Sequence, residues 1–325
     1  MTRFIICFVF LFSLKSCTDS QEFELPAHFP KPHHTLRIDA QKFELGKQLF
    51  FDPVFSKDST ISCASCHQQS AAFSDTRPFS LGVRSQVGKR NAPALQNLLW
   101  SNTFFWDGGV HNIDLIPLNP ITNAKELDES MLNIVYKINR AKTYQSQVKT
   151  IFHTDTISSH QILEALTHYQ AALISDQSPF DNYLRGKIKL SDDEMQGYTI
   201  FQTKCGHCHE GPLLSNYSYR NNGVFKPGDT DLGRYEISLI EGDKGKFKIP
   251  SLRNIAITAP YMHNSSLSSL EEVLNHYESG IQLSPSLDSS LRNKIHFQPG
   301  EKKKIIAFLK TLTDLEYTKN EKYSK

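Results

Sequence analysis

The sequence predicts a mainly α-helical protein built from two tandem halves, and three observations predict it. Amphipathic stretches at helical spacing recur along the chain, while strand signals are few. Two five-residue stretches, Cys63-Ala64-Ser65-Cys66-His67 and Cys205-Gly206-His207-Cys208-His209, share the pattern C-x-x-C-H. The segment after each echoes the other: Arg90-Asn91-Ala92-Pro93-Ala94-Leu95-Gln96-Asn97 in the first half, Lys248-Ile249-Pro250-Ser251-Leu252-Arg253-Asn254 in the second.

Taken in order, residues 1–16 read as a secretory signal peptide, with Arg3 ahead of the apolar run Phe4 to Leu14, too short to span a bilayer. The run ends in Leu14-Lys15-Ser16-Cys17, similar to a bacterial lipoprotein signal, although Lys15 stands where a small or apolar residue is usual. Cys17 is then the expected lipid anchor and the protein is exported to the periplasm. Residues 17–38, polar and Pro-punctuated, read as a flexible tether. A formal net charge of +2 gives no electrostatic case for nucleic acid.

Asp39 to Phe51 places Phe43, Leu45, Leu49 and Phe50 on one side of a helix with Asp39 as N-cap. The first C-x-x-C-H follows in a loop, and Ser70 to Ser101 is loop-rich. Glu126 to Arg140 and Ser159 to Ser175 read as amphipathic helices. A domain connection is expected at Gln177 to Gly186, giving an N-terminal domain 39–185 and a C-terminal domain 186–325. In the latter, the box Ser191-Asp192-Asp193-Glu194 opens a helix to Lys204, and Ser268-Ser269-Leu270-Glu271 opens one to about Tyr277. A last helix follows Pro299.

The spacing of C-x-x-C-H suits c-type haem attachment: two thiols reach two vinyl groups and the adjacent His ligates the iron. Against this stand a redox dithiol, which wants a βαβ setting, a structural zinc, usually more compact in sequence, and a pair of disulfides. Haem is favoured, since apart from Cys7 and Cys17 the chain has no cysteine outside the two motifs. The fold expected is therefore two tandem cytochrome c-like domains, each with one covalent c-type haem.

The ordered series CASCH, RNAP, FFWDGG, NPITNAKEL, CGHCH, KIPSLRN, TAPYMHNSSL and LEEVLNHY resembles the bacterial dihaem cytochrome c peroxidase family, and within it the MauG-like branch. The resemblance implies a peroxidatic haem on Cys63, Cys66 and His67 and an electron-transfer haem on Cys205, Cys208 and His209. It makes Trp106 the coupling residue between them; alone, Trp106 reads as a core aromatic beside Phe104 and Phe105. It makes Glu126 the distal acid–base group; alone, Glu126 reads as a carboxylate favoured by a helix N-terminus. Tyr277 falls where the branch places the sixth ligand of the second haem, with Met262 the alternative. Asn91 and the carbonyls of Lys248 and Pro250 match the ligands of a calcium ion between the domains.

Two departures stand out. Gated members carry a histidine eight residues before the Asn of RNAP, where this chain has Val83, so an open first haem is expected. Ile116 occupies a position that can hold a distal glutamine. The resemblance implies an enzyme that reduces hydrogen peroxide with electrons from a small cytochrome c or a cupredoxin, and it allows a homodimer. The alternatives are a MauG-like enzyme that turns peroxide's oxidising power on a protein or organic partner, and a non-catalytic dihaem electron carrier. His28, His33, His34, His111, His153, His160, His168 and His296 are expected to be solvated or capping.

Overall fold

The structure, a computed structural model, describes residues 23–325; the signal-peptide and Cys17 expectations lie outside these residues. The first helix, α1 (Ala40–Phe51), forms where expected, because the Asp39 side chain accepts the free N–H groups of Gln41 and Lys42 at 3.0 and 2.9 Å. The short α2 (Leu118–Thr122), α3 (Met131–Arg140), α4 (Lys142–Phe152) and α5 (Ser159–Ala171) complete the first half. A short α6 (Pro179–Leu184) occupies the expected connection, and the second half holds α7 (Asp192–Lys204), α8 (Tyr235–Ser238), α9 (Leu270–Asn275), α10 (Glu301–Lys310) and α11 (Leu315–Lys319). Its one ribbon pairs β1 (Tyr219–Arg220) antiparallel with β2 (Phe247–Lys248), Tyr219 opposite Lys248. Among the described residues no helix is long and apolar enough to cross a membrane.

Each half is built on one helix crossing. α1 lies against α5, and α7 against α10. Both crossings are closed by a glycine: a Cβ on Gly46 would sit 1.9 Å from the Ala165 carbonyl oxygen, and one on Gly197 would sit 2.0 Å from that of Lys304. Next to each glycine an aromatic pair fills the joint, Phe50 with Tyr169 at 5.0 Å and Phe201 with Phe308 at 5.1 Å between ring centroids. The same holds further on. Asn97 and Asn254 both adopt left-handed backbone conformations, and their N–H groups donate to Leu173 and Leu312, each at 2.9 Å. The weak echo in the sequence is a real repeat of packing.

Three expectations need correction. The helix expected from Glu126 starts only at Met131, capped by Ser130, because Asp128 is left-handed and both Glu126 and Asp128 donate their N–H groups to the Asn123 carbonyl. The second serine box is shifted by one: Ser269 caps through the Glu272 N–H, and after Asn275 the helix widens to a π-turn over His276–Gly280. The described part of the tether, 23–38, packs on the body. Trp100 Nε1 donates to the Pro30 carbonyl at 2.7 Å, Phe29 is buried, and the Arg253 guanidinium lies 4.8 Å from the Phe29 ring. Its aromatic side chains gain more from burial than a polar linker could.

Three of the histidines expected to be solvated or capping hold the structure together. His28 pairs with the buried Asp181 at 2.8 Å, His34 stacks on Phe104, and buried His168 accepts the Asp39 N–H through Nδ1 at 3.1 Å.

Candidate functional site

The two C-x-x-C-H stretches fold into the same turn from different lead-ins. In the first, the Ser62 N–H donates to Ser65 Oγ at 3.0 Å and opens a 3₁₀ turn. In the second, α7 runs directly into the motif, the Cys205 N–H donating to Phe201 at 2.7 Å. After that they match: the N–H of the second cysteine and of the histidine both donate to the carbonyl of the first cysteine, at 3.2 and 3.0 Å in one and 3.1 and 3.0 Å in the other. His67 Nδ1–H donates to the Phe73 carbonyl at 2.8 Å and His209 Nδ1–H to Leu214 at 3.0 Å. Each bond fixes the tautomer and leaves Nε2 as the free lone pair, as a ligating histidine requires.

Burial lowers the pKa of both rings, that of His209 to about 4, so both are neutral donors. The four thiols are unpaired with one another, and burial pushes those of Cys63 and Cys205 up to about 12. Among the described residues no three His, Cys, Asp or Glu side chains group to hold a metal ion. The zinc and disulfide readings are dropped.

One cavity of about 1070 Å³ runs past both turns. It exceeds the roughly 300–1,000 Å³ of an ordinary small-molecule site, which suits prosthetic groups larger than a usual ligand. Trp106, Glu126, Met262 and Tyr277 all line it.

Trp106 stands where the halves meet. Its Nε1–H donates to the Asn91 carbonyl at 2.8 Å, and its own carbonyl accepts the Lys248 N–H at 2.7 Å. The Asn91 N–H in turn donates to the His263 carbonyl at 2.7 Å, so Trp106 and His263 hold matching places in the repeat, their rings 6.5 Å apart. His263 stacks face to face on Phe247 at 3.6 Å. Arg90 ties the junction down, bonding Asp107 from the Trp106 loop and Asp231 from the second half.

Glu126 faces the cavity from the turn between α2 and α3. Asn123 Nδ2 donates to Glu126 Oε1 at 2.6 Å, and the Val83 N–H donates to the Glu126 carbonyl at 2.8 Å. Burial raises the carboxyl pKa above its ordinary value, and the Asn123 donor opposes this only in part. Buried Ile116 and the prolines Pro117 and Pro120 supply the apolar wall. Asn123 was not singled out from sequence, although its place three residues before Glu126 was the available signal.

Asn91, Lys248 and Pro250 are brought together at this junction, and the Asn91 amide nitrogen is buried with no hydrogen-bond partner. The Lys248 ammonium turns toward Ser101 Oγ at 3.0 Å and the Thr103 carbonyl, and burial lowers its pKa to about 7. Met262 meets Asn222, a residue the motifs did not reveal: its Nδ2 donates to the Met262 sulfur at 3.2 Å.

Residues 40–189 match the family model described as di-haem cytochrome c peroxidase. The chain is 36% identical over 280 residues to the cytochrome c551 peroxidase of Nitrosomonas europaea, covering 85% of this chain and 80% of that one. It is 31% identical over 294 residues to the methylamine utilization protein MauG of Methylorubrum extorquens, covering 89% and 83%. Among solved structures, a MauG-like protein associated with microbial copper homeostasis superposes with a TM-score of 0.82 at 30% identity, covering 93% of this chain and 98% of that one. The chain therefore belongs to the di-haem cytochrome c peroxidase family and is an oxidoreductase of the peroxidase type.

Proposed function

We propose that the chain reduces hydrogen peroxide to water at the first C-x-x-C-H turn, using electrons that enter at the second. The observation that carries this is Glu126, a carboxyl group of raised pKa facing the same cavity as Cys63, Cys66 and His67. Cys63 and Cys66 would hold one haem with His67 as its iron ligand, and Cys205, Cys208 and His209 the other, with Tyr277, or alternatively Met262, as sixth ligand. The haems supply the one-electron chemistry and the binding site for peroxide. Glu126 takes a proton from one peroxide oxygen and delivers it to the other, so that the leaving oxygen departs as water. Asn123 aims the carboxylate, and Ile116, Pro117 and Pro120 keep the transfer dry.

Trp106 provides the coupling between the halves, domains 39–185 and 186–325. Trp106→Phe keeps an aromatic ring but loses the bond to Asn91; electron transfer between the haems, followed by stopped-flow absorbance, should slow by at least about tenfold, or about 1.4 kcal/mol. A calcium ion would take the Asn91 side chain with the carbonyls of Lys248 and Pro250, oxygen donors of the kind calcium uses. The signal-like residues 1–16 and Cys17 support a periplasmic, lipid-anchored protein served by a small cytochrome c or a cupredoxin.

Val83 and Tyr277 favour a second reading, in which the oxidising equivalents of peroxide act on a protein or organic partner. The test is the low-temperature EPR spectrum of the oxidised holoprotein with and without peroxide. A high-spin ferric signal beside a low-spin one, lost on adding peroxide, is expected. Two low-spin signals indifferent to peroxide would overturn an open peroxidatic site and leave either an enzyme that needs reductive activation or an electron carrier.

A further inference from the structure

Seven lysine and arginine side chains line the cavity shared by the two C-x-x-C-H turns. Five are matched with carboxylates: Lys89 with Glu236, Arg90 with Asp231, Lys204 with Glu301, Arg220 with Asp288 and Arg253 with Asp181. Lys125 is exposed and needs no partner. Lys248 is different. Its Nζ donates to Ser101 Oγ at 3.0 Å and to the Thr103 carbonyl at 2.5 Å, with the Tyr217 and Phe104 ring centroids 5.7 and 5.9 Å away. Among the described residues no carboxylate pairs with it, and Asp107 of the Trp106 loop is taken by Arg90. An ammonium has three N–H donors, so one is left without an acceptor among these residues.

A cation kept in a cavity wall without a counter-ion is costly, and a carboxylate with a spare donor to meet removes that cost. Each haem brings two carboxylates, its propionates. We propose that the Lys248 side chain is the counter-ion of a propionate of the first haem. This rests on the reading that Cys63, Cys66 and His67 hold that haem. The choice of haem follows from the oxygens around Nζ: Ser101 and Thr103 belong to the first half, although Lys248 comes from β2 in the second. The Lys248 N–H meanwhile donates to the Trp106 carbonyl at 2.7 Å, so one residue holds both the haem edge and the aromatic between the halves. Its charge has a further effect. A fixed positive charge favours the iron state that carries the extra electron, so Lys248 raises the potential of the first haem.

Redox titration of the holoprotein in excess calcium tests it, with the two haems followed separately by their spectra. Lys248→Gln and Lys248→Met remove the charge, and Lys248→Arg keeps it. None of the three removes the main-chain carbonyl offered to calcium. Gln and Met should each disfavour reduction of the first haem at least tenfold, a fall of about 59 mV for one electron, and should move the second haem less. Lys248→Arg should stay near the wild-type potential. The proposal is overturned if both charge-removing variants keep the wild-type potential at the first haem, or if both haems shift equally. It is also overturned if Lys248→Arg falls as far as Lys248→Gln, since the loss would then be of packing and not of charge. Haem content separates the levels: fewer than two haems in the wild type defeats the underlying reading, whereas two haems with any of these results defeats only the role of Lys248.

Discussion

Replacing Glu126 by Gln should lower peroxide turnover by about 100- to 10,000-fold, the range that a positioned acid–base group supplies, with haem content and fold unchanged. Glutamine keeps the size and can still pair with Asn123, but it can neither accept nor return a proton. The pH profile provides a second readout. Glu126 must begin as the carboxylate, so turnover rises with pH through its pKa. Burial lifts that pKa, so the acid limb should lie above the ordinary carboxylate range near 4.3 and should be missing in Glu126→Gln. Stability follows the opposite sense. A carboxyl group whose folded pKa is raised loses its stability contribution as pH climbs through that value. Glu126→Gln should therefore be more stable than wild type in neutral denaturant titrations and no more stable below the ordinary carboxylate range. Near-wild-type turnover would remove Glu126 from the chemistry. Equal stabilities at both pH values would mean that its carboxylate is solvated.

Sequence was most informative where the cause of structure is local. The Asp39 cap, the Ser191–Glu194 box and both C-x-x-C-H turns involve residues a few positions apart, and each formed as expected. The turn at Glu126 was misread because Leu127, Met131 and Ile134 continue a helical period through it; the left-handed Asp128 breaks the helix without a glycine to announce it. The packing of 23–38 was invisible because its partners, Trp100, Asp181 and Arg253, lie far along the chain. Asn222 was invisible for the same reason: nothing in its neighbourhood in sequence points to Met262. The alignment of RNAP with KIPSLRN was legible, but not that Asn91 would bond the His263 backbone while Lys248 bonds that of Trp106.

Gly197→Ala should destabilise the holoprotein by about 3 kcal/mol or more, the upper end of the usual overpacking cost. In an open helix the same change would stabilise by up to about 1 kcal/mol. Here the new methyl would lie 2.0 Å from the Lys304 main-chain oxygen, and no rotamer of any side chain relieves a clash with backbone. α7 must back away from α10, opening the joint between Phe201 and Phe308. Gly46→Ala should cost a similar amount, since its methyl would meet the Ala165 carbonyl at 1.9 Å. Denaturant unfolding of each variant checks both values, and a stabilised Gly197→Ala would mean that the crossing is looser than described. The two should nevertheless differ in which site they disturb and how strongly. α7 is bonded straight into the second motif through Cys205 and Phe201, and Phe201 lies 6.4 Å from the His209 ring, so its retreat pulls on that ligand directly. α1 ends at Phe51, and residues 52–62 separate it from Cys63, leaving the 6.5 Å contact of Phe50 with His67 as the link. Gly197→Ala should therefore shift the low-spin spectrum of the second haem more than Gly46→Ala shifts the signal of the first. Equal stability losses would then produce unequal losses at the two irons, because one haem turn is an extension of its helix and the other hangs from a loop.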